Sequence, residues 1–306
     1  MHRACFFVVL GKDQFMPETD NKCTQSYKNA KGKLKATLRN DLLLHYVTQK
    51  SNHILKNLIC SLKGLNPDGV KEVLVTNSID YAKYEGKQII LDIRVLLNSS
   101  EILDIELQMY HDVNWENRSL LYLCRSFDSI GTGDDYGELK PTTLIAIVDE
   151  DLFPDCPEFY SRFLMLHEEK HYPYSTNLRL NVLYLNQVEL ATDDDRANNL
   201  DYWAKLFKSD TWEELQALAE KNPIGEEVAE IMYEAVMQSE EKTILEAHQR
   251  YIDFMRAAEN SGYSNGYKKG VEETRAKDEE IIAAKDEALA EKDAEIARLK
   301  ALLAEK

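Results

Sequence analysis

The sequence predicts an α/β fold followed by appended helices, and three observations predict it. Between residues 91 and 109, two alternating apolar runs flank a polar turn, LDIRVLLNSSEILDIELQM, the pattern of a half-buried β-hairpin. Further on, TTLIAIVD is a continuous apolar run short enough for a buried strand. From about Leu200 the pattern turns helical. A chain of 306 residues with 44% hydrophobic content suits one main domain with a sizeable core plus helical additions.

Taken in order, residues 1–33 are polar, lysine-rich and without clear period, which predicts a flexible N-terminal arm. The main domain is expected over 34–200. It opens with RNDLLLHYVTQKSNHILKNLICSLKGL, whose apolar positions suit one or two amphipathic helices ended by Gly64 and the Asn66-Pro67-Asp68-Gly69 cluster. KEVLVTNS predicts a short strand and the hairpin follows. NWENRSLLYLCRSFDSI predicts a helix with Leu120, Leu121, Leu123, Cys124 and Phe127 as its apolar face. TTLIAIVD and two weaker alternating stretches within 159–191 add strands. A helical extension is expected over 201–260: Asp210 or Thr211 caps one helix, Pro223 breaks it, and another runs from about 225 to 258. In 261–306, Gly262, Gly266 and Gly270 read either as a hinge or as a Gly-striped helix. The charged tail beyond repeats Ile282, Leu289, Ile296 and Leu303 every seven residues, so it reads as a modest coiled coil or a lone charged helix. Homo-oligomerisation through that C-terminal helix is an expectation.

Composition narrows the function classes. No run approaches the roughly 18 apolar residues of a membrane span, so no membrane partner is expected. ACFFVVL is the only candidate targeting segment; no small-residue cleavage site follows it, and a true start at Met16 fits at least as well. Five scattered cysteines without a C-x-x-C pair indicate neither a disulfide framework nor a zinc site and fit a cytoplasmic protein. The net charge of −17 argues against a generic nucleic-acid coat. It is uneven: residues 1–40 hold 8 Lys+Arg against 3 Asp+Glu, whereas residues 111–160 hold 3 against 11.

The hairpin carries the chemistry. Alternation along a strand puts Ile102, Asp104, Glu106 and Gln108 on one face and Leu103, Ile105, Leu107 and Met109 on the other. Folding the hairpin about Ser99 sets Arg94 across from Asp104, an ion pair, and Asp92 across from Glu106. Two like charges roughly 5 Å apart destabilise a sheet. A divalent cation between Asp92 and Glu106 removes that repulsion; Mg²⁺ takes oxygen ligands and is often held by one or two carboxylates. Gln108 on the same face is placed to orient a water. A solvated polar face on an edge hairpin explains the same spacing.

These residues resemble a family. The order helix, strand, strand with Asp, turn, strand with Glu-x-Gln, helix is similar to the PD-(D/E)XK (restriction-endonuclease-like) core, a mixed central sheet flanked by helices. RNDLLLHYVTQKS, KQIILDIRVLLN, ILDIELQM, NRSLLYLCRSFDSIGTGDDYGELKPTTLIAIVDEDLF and the WAKLF…TWEEL segment resemble its Rpn branch of recombination-promoting nucleases and putative transposases, over about residues 38–250. The resemblance implies a nuclease-like domain over 34–200 and a DNA endonuclease using Mg²⁺, with Mn²⁺ or Ca²⁺ as alternatives, that promotes recombination or element mobility. It implies metal ligation by Asp92, Glu106 and the Leu107 carbonyl, with Gln108 where the wider superfamily has lysine. Asp41 matches the acidic residue of the first helix, either a metal ligand through water or a helix cap. Arg118 and Tyr122 face the site or a phosphate, or serve packing or a surface salt bridge. A glutamine offers only a dipole where lysine offers a charge, so more stabilisation falls to the metal. A catalytically inactive, oligomerising interaction protein on the same scaffold is the competing class.

His167-Glu168-Glu169-Lys170-His171 has the letters of the H-E-x-x-H zinc motif, which requires a helix. Pro173 follows at once and the preceding stretch reads partly as strand, so zinc is set aside.

Overall fold

The computed structural model describes residues 26–77, 93–112 and 114–258. Asp92, the Gly262–Gly270 stretch and the charged tail lie outside the described residues.

The expected helical stretch near the start resolves into two helices because Ser51 interrupts it. The Asn40 side chain accepts a hydrogen bond from the Leu43 amide and starts α1 (Asp41–Lys50). Ser51 closes α1 through its amide and caps α2 (Asn52–Lys63) through its hydroxyl, which accepts from the Ile54 amide at 3.1 Å. Gly64, at φ 63°, ends α2 in the left-handed conformation a glycine tolerates. Packing begins before the expected arm boundary at 33: Tyr27 is buried, and Gln216 donates to the Tyr27 and Ala30 carbonyls at 2.6 and 2.9 Å. Those hydrogen bonds and the buried ring hold residues 26–33 to the body.

Six strands form one mixed sheet. They are β1 (Val73–Val75), β2 (Ile93–Leu97), β3 (Glu101–Gln108), β4 (Thr142–Val148), β5 (Tyr160–Leu164) and β6 (Leu178–Tyr184), in the spatial order β1-β2-β3-β4-β6-β5. β3, β4 and β6 run parallel, and the outer pairs are antiparallel. β4 is buried along its whole length, as its uninterrupted apolar run requires. The hairpin register is the expected one: Arg94 lies across from Asp104 and Ile93 across from Ile105. Asn98 and Ser99, at φ 48° and 55°, make the turn. Their short polar side chains tolerate that region better than the flanking Leu97 would.

One sheet face carries Ile93, Val95, Leu103, Ile105, Ile145, Ile147 and Leu183 in the main core with α1 and α2. Between β5, β6 and α2, the hydroxyl of the partly buried Tyr160 donates to the Leu62 carbonyl at 2.6 Å and accepts from Asn181 at 3.0 Å. The other face is covered by α3 (Trp115–Phe127), with Trp115 against Ala146, Val148, Val182 and Tyr184. The expected apolar face of α3 is corrected here. Trp115, Ser119 and Leu123 point inward, one helical turn apart, whereas Leu120 is 54% and Leu121 47% exposed. A small serine in the middle lets the helix settle close to the sheet.

After β6 come α4 (Asp193–Ala197), α5 (Leu200–Lys208), α6 (Trp212–Ala219) and α7 (Pro223–Tyr233). Thr211 and Glu214 form a capping box at α6. The single helix expected over 225–258 is instead broken: a π turn at Glu234–Gln238 and Ser239 separate α7 from a further helix, α8 (242–258). The Ser239 hydroxyl donates to the Ala235 carbonyl, at the point where the regular ladder is lost. His167 and His171 sit on a loop closed by the Leu166–Pro173 bridge, with His171 at φ 56°, so no helix carries the zinc-like letters. Among the described residues no helix is long and apolar enough to cross a membrane.

The Arg94–Asp104 pair locks the hairpin register. Asp104 is 1% exposed, and Arg94 reaches its two oxygens from Nε and Nη2 at 2.8 and 3.2 Å. Replacing Arg94 with alanine strips a buried carboxylate of this partner. The Arg94→Ala variant should lose about 3 kcal/mol, the low end for a broken buried pair because the arginine itself is half-exposed. Urea unfolding would measure it; a loss under about 0.5 kcal/mol would show the pair to be ornamental.

Candidate active site

The polar row on β3 is not a solvated face. Asp104, Glu106 and Gln108 are 1–2% exposed, because α3 lies over them. Glu106 stands beside Ala146, and Gln108 beside Val148, on the neighbouring parallel strand. Carboxylates taken out of water need opposite charge or hydrogen bonds. Asp104 receives Arg94 from across the hairpin, and Glu106 receives Arg118 from above.

Arg118 organises this side of the sheet. Its Nη2 lies 3.4 Å from Glu106 Oε1 and also donates to Gln108 Oε1, while Nη1 meets Asp112 at 2.7 Å. The guanidinium carbon lies over the Trp115 ring, 5.0 Å from its centroid, and 6.0 Å from that of Tyr122. The rigid fork of an arginine suits such simultaneous contacts in a way a lysine ammonium does not. Gln108 is committed at both ends: its oxygen accepts from Arg118 and its amide nitrogen donates to the Tyr110 carbonyl.

Asp41 reaches the same region from the start of α1. Asn40 is the helix cap, so capping is not the job of Asp41. Asp41 is 6% exposed; Oδ1 pairs with His248 Nε2 of α8, and Oδ2 is buried without a hydrogen-bond partner. Asp41, Leu107, Gln108, Arg118 and His248 line one small cavity of about 50 Å³ at the carboxyl end of β3. Tyr110 borders it too. Burial pushes its hydroxyl pKa up, Tyr251, Asp41 and Asp112 push it further, and Arg118 opposes them. Its O–H therefore stays protonated at neutral pH.

Helix α8 closes the cavity from above. Arg256 donates to the Met109 carbonyl at 2.8 Å and pairs with Asp149 just beyond β4, while Arg39 reaches the same Asp149 at 3.5 Å. Asn40 donates to the Leu245 carbonyl at 3.1 Å. Sequence reasoning missed His248, Tyr110 and Arg256. The spacing of His248, Tyr251 and Ile252 on one helical face was visible, but nothing local tells which surface that face meets.

The donors gathered here are oxygens, as a hard cation prefers. The unpartnered Asp41 Oδ2, on a residue that lines the small cavity, is a donor of the kind such an ion takes, and Glu106 adjoins the cavity through its contact with Arg118. Among the described residues no group of three His, Cys, Asp or Glu side chains forms a metal cluster; the further acidic candidate, Asp92, lies outside them. Of the sequence-predicted site residues, the structure brings Glu106, Gln108, Leu107, Asp41 and Arg118 together around the end of β3. Tyr122 reaches the group only through its stacking on Arg118.

A family model described as a PD-(D/E)XK nuclease family transposase matches residues 12–260. No curated protein and no solved structure matches the chain significantly.

Arg118→Ala should destabilise the fold by about 3 kcal/mol, because it leaves Glu106 buried without this positive partner. Arg118→Lys should recover less than half, since one ammonium cannot reach Glu106, Gln108 and Asp112 together. Guanidinium unfolding of the three proteins would decide; full recovery by lysine would show that charge alone matters.

Proposed function

The chain belongs to the PD-(D/E)XK nuclease family of transposases, and from that premise we propose that it is a Mg²⁺-dependent DNA endonuclease that hydrolyses phosphodiester bonds at the carboxyl end of β3. The observation that carries the proposal is the buried Glu106–Gln108 row with Arg118 held against it. A surface hairpin has no use for an acidic row sealed beneath a helix.

In this reading, Asp92, Glu106 and the Leu107 carbonyl hold the ion. Asp92 immediately precedes Ile93, whose pairing with Ile105 leaves Glu106 as the next position along β3. Asp41 contributes its unpartnered oxygen, directly or through water. When bound, a divalent cation supplies a hydroxide-forming site and neutralises phosphate charge. Arg118 supplies the positive charge that lysine gives elsewhere in the superfamily, stabilising charge that develops on phosphoryl oxygens. An arginine stays protonated and so serves as an electrostatic group rather than a base. Gln108, engaged at both ends, acts by holding Arg118 rather than by orienting water itself. The His248 ring holds Asp41 so that Oδ2 faces the cavity.

The commitment of the Gln108 amide within the protein also favours the second reading, a catalytically inactive interaction protein on the same scaffold. The two readings part over metal. Titration calorimetry with Mg²⁺ should give a heat that disappears in Asp92→Asn; identical heats would remove the metal site.

Cleavage is tested with supercoiled plasmid at low salt, in Mg²⁺, Mn²⁺ or EDTA. The expected result is metal-dependent nicking that falls on the order of 10²-fold or more in Glu106→Gln. Nicking that survives the substitution would place the chemistry elsewhere, and its absence from both proteins would favour the inactive scaffold.

A further inference from the structure

A second, larger cavity lies beside the first. It measures about 480 Å³, within the roughly 300–1,000 Å³ of small-molecule sites. Its floor is Trp115 and Val182, both buried. Its rim is Phe153, 43% exposed, and Phe163, 37% exposed, with ring centroids 5.8 Å apart. Asp112 lines this cavity and Arg118 lines the smaller one, and their ion pair at 2.7 Å is the shared wall. Both cavities open near the carboxyl ends of the parallel strands β3 and β4, where α/β sheets place ligands.

We propose that this cavity receives an unpaired nucleobase of the DNA strand whose phosphate is presented to Glu106. The proposal rests on the nuclease reading and names its substrate class: single-stranded DNA, or duplex from which a base is extruded.

The charges select a base over other occupants. Acidic groups line the opening, so a phosphate entering it meets repulsion. A polycation would find most of those acids already engaged. Asp112 is held by Arg118. Glu150 pairs with His111 at 2.6 Å, and Asp151 accepts from the amides of Asn186 and Gln187 at 2.9 and 2.6 Å. A neutral planar ring meets neither obstacle. It gains a stacking partner in the exposed phenylalanines, and stacking is tolerant of base identity. Glu116, exposed in the first turn of α3, offers a carboxylate acceptor for an exocyclic amine, the contact a cytosine N4 makes. Extruding a base from duplex costs a few kcal/mol, so single strands, gaps and mismatches are preferred.

The test is binding in EDTA, so that it does not depend on cleavage. Single-stranded oligonucleotides carrying 5-iodouracil at successive positions are bound to the full-length protein, irradiated, and the cross-links mapped by mass spectrometry. Cross-links at Phe153, Phe163 or Trp115 are expected for one position. Phe153→Ala and Phe163→Ala, at half-exposed sites, should each weaken single-strand binding about tenfold and leave fully paired duplex binding unchanged. Cross-links mapped elsewhere, or variants that bind single strands as the wild type does, would overturn the base pocket and leave the nuclease reading intact. Failure to bind DNA in any form, in EDTA and in Ca²⁺ alike, would overturn both. Calorimetric titration with spermidine distinguishes the alternative occupant: saturable binding lost in Phe163→Ala would make this a cation site instead.

Discussion

The buried contact between Arg118 and the β3 acidic row is the constraint on which the site depends. A carboxylate at 1% exposure is stable only with opposite charge or hydrogen bonds close by. Glu106 sits on a covered sheet face, so something must reach it from α3. Arg118, a long forked cation one turn beyond Trp115, spans that gap with its guanidinium carbon 5.0 Å from the indole centroid. The same residue then ties down Gln108 and Asp112. Position, charge and the wall between two cavities therefore follow from one side chain, and α3 is fixed to the sheet by polar geometry as much as by apolar burial.

The helices after β6 add a second layer of dependence. They are more than an apolar lid, because α8 reaches the carboxyl end of β3 through His248 and Arg256. Helix α1 presents Asp41 at its first turn, where the helix dipole favours a negative charge, and α8 fixes which oxygen of that carboxylate remains available. The π turn between α7 and α8 relaxes the helix direction at the point where the chain must swing from packing on α6 to covering the site.

Much of the fold was legible because period and punctuation agreed. Alternation, the Asn98-Ser99 turn and the Arg94–Asp104 complementarity together specify one register, and an uninterrupted apolar run too short for a buried helix reads as a strand covered on both faces, as β4 is. What resisted reading was orientation. Leu120 and Leu121 look like core by hydropathy, yet they are exposed, and it is Ser119, on the same helical face as Trp115 and Leu123, that is buried. Burial of the acidic row was invisible for a related reason: strand alternation says which residues share a face, not whether a helix lies over it. His248 was hidden because its partner Asp41 stands far away in sequence, and no local pattern encodes such a pairing.

The acidity of the chain constrains how it can hold a nucleic acid. With a net charge of −17, the long-range field opposes a phosphate backbone, so affinity cannot come from broad counterion release as it does for basic proteins. Positive charge near the site is concentrated in Arg39, Arg118 and Arg256, each already facing a carboxylate. A strand approaching this surface must replace those intramolecular pairs rather than fill open charge, which leaves little net electrostatic gain. On the proposed reading, the remaining sources of binding free energy are a metal ion shared between protein and phosphate, and short-range burial of aromatic surface. The two cavities proposed for them share one ion pair, Asp112–Arg118, as their wall, so that phosphate and base would be sorted by chemistry on its two sides.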